Sequence, residues 1–385
     1  MKRLHFEQLQ FSRSGDALVG HFMRYYTFSL PLLGSVEHGD LLINERDEKK
    51  VMLAVQGGLR KLVFSLDNKP VTYLHEDMPL IGANFIGVVD RDTNILEVKP
   101  LTGCNINCTF CSVDEGTQSK KTHHYLAEAD LLAEKTLAIA SQKKHDVMIY
   151  INPHGDPLLY GDLPRLIRGL RHKRVKVITL ITNGVLLSEA LVDMLASAGL
   201  SQINISLNAW SKEMTQRLAS QPYPVEKIRR VAAYASTKIP VIISPVLVPG
   251  HNEEEIEQIV QWARAYPGMQ LGIQNFLPYK RGRNPAKPMA FEQFHALLRG
   301  WETTYGVSLL NPSLAIPIHE DPVLSKPYNI GQVIDVNIIG PGRFANEVIG
   351  ICGERLITVR REGLSAGKRA RVKVITNKHN IYYGV

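Results

Sequence analysis

Residues 96–111, with the sequence LEVKPLTGCNINCTFC, decide the fold of this chain. The first six residues predict a short β-strand. Cys104, Cys108 and Cys111 follow directly, with spacings of four and then three positions. Three thiolates can bind three irons of a cubane 4Fe–4S cluster and leave the fourth iron open to a ligand that is not protein. The sequence therefore predicts a metal-binding loop at the carboxyl end of a strand.

A structural zinc site is the alternative interpretation of these thiols. His123 and His124 follow twelve residues after Cys111 and could complete a Cys3His set. Clustered thiols in a cytosolic chain indicate metal binding rather than disulfides. The fourth cysteine, Cys352, lies far downstream, where we expect a small buried residue rather than a ligand. A structural zinc has no reason to lie on the exit loop of a first barrel strand, so the position favours the cluster.

A regular alternation of strands and helices surrounds this loop. Six β-branched runs, separated by stretches of helical period, predict a parallel sheet that forms an open, partial (β/α)6 barrel of the TIM type. Ligands of such sheets bind at the carboxyl ends of the strands. The predicted strands are LEVKPL at residue 96, VMIYI at 147, VKVITLI at 175, INISL at 203, VIISPVLV at 241 and LGIQNF at 271. The predicted buried helix faces are Leu187, Leu191, Met194 and Leu195, and further on Ile256, Ile259, Val260 and Ala263.

Polar segments follow the later strands. They are NPHGDPLL after the second strand, ITNG after the third, ISLNAW at the fourth, SPVLVPGHNEEE at the fifth and IQNFLP at the sixth. Any one of them is weak evidence, since Thr-Asn-Gly is also a good turn sequence. In this order behind the cysteine loop, they resemble the radical S-adenosylmethionine (radical SAM) superfamily.

That resemblance implies a 4Fe–4S cluster on Cys104, Cys108 and Cys111 whose open iron chelates S-adenosylmethionine (SAM). It also implies that the reduced cluster cleaves SAM into methionine and a 5'-deoxyadenosyl radical, which takes hydrogen from a substrate. The protein would position these cofactors and exclude water. A protein electron donor, such as a ferredoxin or a flavodoxin, is implied as well.

The resemblance extends to residues that contact SAM. His154 and Asp156 stand where the family usually carries Gly and Glu in a Gly-Gly-Glu-Pro segment that binds the SAM amine, and we expect His154 to be structural. Asp114 and Glu115, just past the cysteine loop, could assist proton transfer, although solvated loop carboxylates are the simpler interpretation. The implied cofactor-binding residues are Phe110, Gly155, Asp156, Pro157, Thr182, Asn183, Ser206, Asn208, Val248, Gln274 and Asn275.

Segments that differ from the core in composition and apolar pattern flank it on both sides. Residues 1–82 alternate short apolar stretches, such as KKVMLAV, with turn signals and predict a β-rich N-terminal domain. Residues 83–316 form the predicted core, and residues 317–330 have the composition of a linker. Residues 331–385 contain short strands broken by glycine turns, which is typical of a small closed β-barrel. This last segment resembles a TRAM domain, the OB-like RNA-binding barrel of tRNA methylthiotransferases.

The charge distribution favours a polyanionic partner. The formal charge is +8, and residues 331–385 hold nine Lys or Arg residues against four Asp or Glu residues. Basic side chains could neutralise phosphates, and Phe344, Tyr382 and Tyr383 could stack on bases, unless the aromatics merely fill the barrel. We expect a cytoplasmic protein, because no apolar run suits a membrane span or a secretory signal. The predicted RNA-binding residues are Arg343, Phe344, Arg360, Arg361, Lys368, Arg369, Arg371 and Lys373.

Three hypotheses about function follow. The first is a radical SAM enzyme that modifies a nucleoside in tRNA or another structured RNA, with a layout that resembles an uncharacterised archaeal group of such proteins. Sulfur insertion is not expected, because residues 1–103 contain no cysteines for a second cluster. On this hypothesis, deletion of residues 331–385 should abolish RNA binding but preserve SAM cleavage. The second hypothesis gives the same chemistry a small-molecule, lipid or peptide substrate, and the third is a non-catalytic iron–sulfur RNA-binding protein.

Overall fold

A computed structural model describes residues 1–310 and 316–385, so residues 311–315 of the predicted core lie outside the described residues. The N-terminal region consists of β1 (Lys2–Leu4), β2 (Leu9–Ser14), β3 (Ala17–Phe22), β4 (Tyr26–Pro31), β5 (Ser35–Glu37), β6 (Asp40–Ile43), α1 (Glu48–Leu59), β7 (Val63–Phe64) and β8 (Val71–Leu74). Its antiparallel strands form two sheets, in the orders β1–β6–β5 and β2–β3–β4–β7. Their buried side chains belong to the same apolar core as the central sheet.

Helix α1 corrects the sequence-based expectation for KKVMLAV, which predicted a strand. Val51, Val55 and Gly58 are the buried residues of α1, and their spacing of four and three positions defines one helix face. Gly58 has no side chain because a Cβ there would lie 2.1 Å from the Phe28 ring. The apolar period is therefore helical, although the segment is short and rich in strand-forming residues.

The central region carries the expected alternation. It consists of β9 (Gly87–Asp90), β10 (Ile95–Lys99), β11 (Thr102–Gly103), β12 (His124–Ala127), α2 (Ala129–Ala140), β13 (Val147–Ile151), β14 (His154–Gly155), α3 (Leu163–Gly169), β15 (Val175–Thr182), α4 (Glu189–Ala198), β16 (Gln202–Ile205), α5 (Lys212–Ala219), α6 (Val225–Ala235), β17 (Val241–Ile243), β18 (Val246–Leu247), α7 (Glu253–Ala263), β19 (Met269–Leu271), β20 (Gln274–Asn275) and α8 (Phe291–Tyr305). The central sheet has the order β19–β17–β16–β15–β13–β10–β9. All neighbours from β10 to β19 pair in parallel, and β9 pairs antiparallel to β10 at the edge. The TIM-type α/β core is confirmed, and five of the six predicted strands contribute to the central sheet. The sixth parallel strand of that sheet, β19, ends at Leu271, where the predicted run LGIQNF begins, and Gln274–Asn275 of that run form β20.

The predicted helix faces are confirmed on α7 and partly wrong on α4. All four apolar residues predicted for the buried face of α7 are buried. On α4 the buried residues are Val192, Leu195 and Ala198, whereas Met194 is 52% exposed. Ser188 caps α4 by accepting a hydrogen bond from the Leu191 N–H, which fixes where the helix begins and which face it buries.

Two short pairs of parallel strands lie beyond the carboxyl ends of the main sheet and carry the loops that line the cavity. The fifth predicted strand is split, because Pro245 lies between β17 and β18 and has no N–H to donate. Beyond this break β18 pairs in parallel with β20. On the other side of the sheet β11 pairs in parallel with β14, so the loops after β10 and β13 lie against each other.

The C-terminal region is the small closed barrel that the sequence predicted. Its strands are hydrogen-bonded in the order β21–β22–β23–β25–β24 and surround an apolar core of their own. The linker-like segment before it is anchored, because Asp321 is buried and accepts hydrogen bonds from the backbone N–H groups of Lys144 and His145. The strands are β21 (Val333–Pro341), β22 (Glu347–Cys352), β23 (Arg355–Arg360), β24 (Arg369–Thr376) and β25 (Tyr383–Gly384).

Two walls of this barrel differ in their environment. Strands β22 and β23, the docked wall, are largely buried on both faces because they lie between the barrel interior and the central region. Leu356 N of β23 donates to Ile81 O at 2.7 Å, and Tyr382 N, directly before β25, donates to Gly82 O at 2.8 Å. Strand β24, the outer wall, alternates between buried and exposed residues and faces solvent. No helix of the described ranges has the length and apolar character of a membrane span.

Candidate active site

Two glycines bring the cysteine loop against the second polar loop. Gly103 of β11 pairs with Gly155 of β14 immediately before Cys104. Gly155 has a φ of +148°, and a Cβ on it would lie only 1.8 Å from the carbonyl oxygen of Gly103. Glycine is therefore required for the two backbones to approach this closely.

The three predicted ligand thiols open into one cavity. Cys104, Cys108 and Cys111 are partly exposed free cysteines, and all three line a cavity of about 700 Å³ at the carboxyl ends of the central strands. The backbone N–H of Glu115 donates to the Cys111 Sγ at 3.3 Å. Burial raises the pKa of the Cys104 thiol well above its ordinary value and that of Cys108 to about 12. Iron coordination would reverse this, because a coordinating thiol is deprotonated.

The histidines of the zinc alternative are engaged elsewhere. His123 Nε2 is hydrogen-bonded to the Thr72 hydroxyl at 2.8 Å, and His124 Nε2 is hydrogen-bonded to Asp67 at 3.0 Å. Within residues 1–310 and 316–385, no group of three or more His, Cys, Asp or Glu side chains is gathered around a point where a single metal ion could bind. A mononuclear zinc centre needs such a group, whereas a cubane cluster distributes its thiolates over separate irons. The hydrogen bonds of both histidines therefore argue against the zinc alternative.

Asp156 is turned into the protein. Its carboxylate accepts hydrogen bonds from the Thr182 hydroxyl at 2.9 Å, the Asn183 N–H at 2.7 Å and the Leu158 N–H at 2.9 Å. Burial raises its pKa, and these hydrogen bonds oppose that rise. The carboxylate therefore fastens the second polar loop to the third, and this side chain has little capacity left for the SAM amine.

Most of the residues predicted to contact SAM share this cavity. Neutral polar residues from the third to the sixth strand line one half of it, which we call the neutral half. Pro157 and Val248 are buried and do not belong to the cavity lining that the structure describes, whereas Val246 does. The predicted residues that line the cavity are Phe110, Gly155, Asp156, Thr182, Asn183, Ser206, Asn208, Gln274 and Asn275.

Glu115 is not the solvated carboxylate that the sequence suggested. It is 2% exposed and lines the cavity. Arg343 of the C-terminal barrel binds both of its oxygens, at 2.7 and 2.8 Å, and Lys121 binds it at 2.5 Å. Arg343 is itself only 2% exposed, so the expectation that it contacts RNA is wrong: its guanidinium is buried against the cysteine loop.

A second arginine, which the sequence analysis missed, holds the same loop. The Arg283 guanidinium donates to the carbonyl oxygens of Cys108 and Glu115, both at 3.0 Å, and to the Asp114 carboxylate at 2.7 Å. Its backbone N–H donates to Cys111 O at 2.9 Å. Arg283 lies in KRGRNPAKP, whose composition indicates only a linker, so no local signal identified it.

The remaining predicted RNA contacts lie on the barrel surface or at its junction with the core. Phe344 is partly exposed, and the Arg281 guanidinium lies 4.5 Å from its ring centre, close to cavity-lining Tyr279. Tyr382 is fully buried in the barrel core, so this ring cannot stack on a base. The exposed predicted residues are Arg360, Arg361, Lys368, Arg369, Arg371 and Lys373.

Comparisons with known proteins identify the family of the central region. The family model described as the Radical SAM superfamily matches residues 98–263. The chain is 31% identical over 348 residues to MJ0103 of Methanocaldococcus jannaschii, described as an uncharacterized protein, and the match covers 82% of this chain and 80% of that protein. The chain belongs to the radical SAM superfamily. Its cofactors are accordingly a 4Fe–4S cluster and SAM.

Other similarities are more limited. The chain is 32% identical over 174 residues to the GTP 3',8-cyclase of Peptoclostridium acidaminophilum, covering 44% of this chain and 51% of that protein. It thus spans about half the length of that cyclase. Among solved structures, Streptococcus suis SuiB has a TM-score of 0.44 and 14% identity, covering 79% of this chain and 70% of that one. The structure of TYW1 with a lysine-pyruvate adduct has a TM-score of 0.39 and 18% identity, covering 56% and 74%. Neither structural similarity is close enough to indicate a function.

Proposed function

We propose that Cys104, Cys108 and Cys111 hold the 4Fe–4S cluster of this radical SAM enzyme. The observation that carries the proposal is that all three thiols open into one cavity at the strand ends, with both neighbouring histidines engaged elsewhere. Three protein ligands leave one iron for SAM. When bound, the cluster and SAM supply a 5'-deoxyadenosyl radical that takes hydrogen from a substrate. Arg283 and Arg343 hold the cysteine loop through hydrogen bonds to Cys108 O and to Glu115. A rigid loop of this kind keeps the ligand thiols in the geometry that the cluster needs.

SAM binds in the neutral half of the cavity. Asn183, Ser206, Asn208, Gln274 and Asn275 present neutral polar groups there, beside the thiols. The Oδ1 of Asn275 is buried and has no hydrogen-bond partner among the described residues, although its Nδ2 donates to Met289 O at 2.8 Å. A buried acceptor of this kind calls for a donor, and the amino groups of SAM can supply one. Asp156 acts by fixing the loop that carries Asn183.

The substrate is a nucleoside in tRNA or another structured RNA. The barrel is TRAM-like in this proposal, and its exposed basic residues track the phosphate backbone. Support comes from the junction between barrel and cavity, where Arg281 lies over Phe344 and is paired with Glu347 of β22 at 2.8 Å. An RNA bound to the barrel would therefore lie close to the cavity mouth. The reducing electron would come from a ferredoxin or a flavodoxin.

An anaerobic assay tests both parts of the proposal. The cluster is reconstituted and reduced, SAM is added with or without bulk tRNA, and 5'-deoxyadenosine is quantified. We expect cleavage that tRNA stimulates. Cys108→Ala should lose both the cluster and the cleavage, whereas Cys352→Ala, whose thiol lies in β22, should retain them. Cleavage that ignores tRNA would contradict the RNA substrate, and a loaded cluster without any cleavage would favour a non-catalytic iron–sulfur RNA-binding protein.

A small nucleotide is the second candidate substrate. The match to a GTP 3',8-cyclase, over 174 residues, favours a substrate that enters the cavity whole. The two candidates differ in salt dependence, because phosphate contacts along RNA make affinity fall steeply with ionic strength. Turnover that is insensitive to tRNA and to salt would favour the small nucleotide.

A further inference from the structure

The cavity has a charged wall opposite its neutral half. Glu97 and Lys99 come from β10, Arg91 follows β9, and His154 lies in β14. We call these four residues the charged wall. The neutral half is built from the later strands, so the charged wall belongs to the other side of the barrel opening.

The charges in this wall do not cancel. The Glu97 carboxylate accepts from Arg91 Nε at 2.5 Å and from Lys99 Nζ at 2.7 Å, so two cations share one carboxylate. The Lys99 side chain is only 4% exposed, and its second partner is the carbonyl oxygen of Asn152, at 2.8 Å. Burying ionised groups is costly, and a barrel interior that needs only to be filled uses branched apolar side chains. Buried charge that faces a cavity therefore indicates a ligand.

Two of these residues have unused hydrogen-bonding groups. Arg91 contacts Glu97 only through Nε, so its two terminal nitrogens are free of partners within the described residues, and its side chain is 51% exposed. The His154 ring has no hydrogen-bond partner in the described ranges and borders the cavity. Burial, and then the nearby Lys99, lower the pKa of His154 well below its ordinary value, so the ring is neutral.

We infer that the charged wall binds a compact anionic group of the substrate, a phosphate or a carboxylate, through the Arg91 guanidinium and the Lys99 ammonium. The planar guanidinium matches either anion in a two-pronged geometry, and the neutral imidazole can add one further hydrogen bond. The inference rests on the proposed function, because it assumes that SAM occupies the neutral half. It deepens that function by naming which part of the substrate enters the cavity: a nucleotide phosphate or an acidic substituent.

Calorimetric titration of the reconstituted full-length protein tests this inference. Inorganic phosphate and acetate are titrated at constant ionic strength, with and without saturating SAM. We expect at least one anion to bind in the presence of SAM. Phosphate binding alone would identify a nucleotide phosphate, and acetate binding alone a carboxylate. Arg91→Gln should weaken that binding about tenfold or more, whereas Arg13→Gln, at an exposed position of β2 outside the cavity and the barrel, should not change it.

Glu97→Gln should change the anion affinity in the opposite direction to Arg91→Gln. Removing the carboxylate frees both cations, so anion affinity should rise, whereas a purely structural ion network would lose its integrity in both the Arg91 and the Glu97 variants. The inference is overturned if neither anion binds, if Arg91→Gln binds like the wild type, or if the anion displaces SAM. Loss of SAM binding and cleavage in the wild type would instead refute the proposed function, so the two failures are distinguishable.

Discussion

The docked wall and the outer wall of the C-terminal barrel contain the same residue type in opposite situations. Arg343, at the docked wall, is 2% exposed and binds both oxygens of Glu115. Arg369, on the outer wall, has a side chain that is 71% exposed, and it lies 3.8 Å from Asp335. One arginine completes a buried site beside the cysteine loop, and the other is available to a partner.

The difference shows that a count of basic residues says little about their roles. A buried charge pair loses much when one partner is removed, because the other charge remains in a poorly solvated place. An exposed pair contributes little, since water and salt screen it. Residues that looked like one RNA-binding set in the sequence therefore separate into a positioning residue and an exposed surface.

Arg343→Met should have the largest effect. It leaves Glu115 buried with only Lys121 as a partner, so we expect the free energy of unfolding to fall by about 3 kcal/mol, the lower end of the range for broken buried pairs. Iron content per chain and the spectrum of the reduced cluster should also change, because Glu115 N–H donates to the Cys111 sulfur. Chemical denaturation and iron analysis measure both effects.

The matched control is Arg371→Met on the outer wall, which should retain full stability and iron content. Arg343→Lys should recover part of the loss, because it restores the charge but not the two-pronged geometry. Unchanged stability and iron in Arg343→Met would contradict the role given to the docked wall. The same reasoning changes the expectation for deletion of residues 331–385: it should damage the cluster site as well as RNA binding.

Substitutions on the outer wall should have the next largest effect, and they should change only the affinity for RNA. Neutralising Arg371 and Lys373 together should weaken tRNA binding roughly tenfold or more and reduce the salt dependence of binding, because each lost phosphate contact lowers that slope by about one. Filter binding at several salt concentrations measures this, and cluster content serves as the control. An unchanged salt slope would mean that RNA, if bound, uses another face.

The strands and most cavity residues could be predicted because their signals are local. β-branched runs, helical period and polar residues at strand ends are each readable within a few positions. The Arg343–Glu115 contact joins residues 228 positions apart, and nothing near either residue indicates it. Arg283 is hidden in a linker-like composition for the same reason. Helix α1 was missed because Val51 and Val55 favour strands locally, whereas their burial against β4 decides the outcome.

His123, beside the docked wall, should make stability depend on pH. Burial, with help from His124 and Arg343, lowers its pKa to about 4 in the folded protein, whereas the unfolded value is near 6.5. The unfolded chain therefore takes up this proton first, and the stability present above pH ~6.5 is lost as the pH falls toward 4. When the pH falls from 7.5 to 5.5, the free energy of unfolding of His123→Gln should decrease by about 1 kcal/mol less than that of the wild type, as denaturant titrations would measure. Equal losses would show that the pKa of His123 is not lowered in the folded protein.

Arg369→Gln should have the smallest effect and complete the comparison. Arg369 lies 3.8 Å from Asp335, and both side chains are exposed. Such a pair contributes about 0.5 kcal/mol or less to stability, so the free energy of unfolding should hardly change. The informative quantity is the ratio to Arg343→Met under the same denaturant and salt. If both substitutions lower the free energy of unfolding by the same amount, burial of Arg343 would have no energetic consequence, and the distinction between the two walls would fail. If only Arg343→Met is costly, and raising the salt does not reduce that cost, the buried charge pair accounts for the difference, because screening reaches only exposed charges.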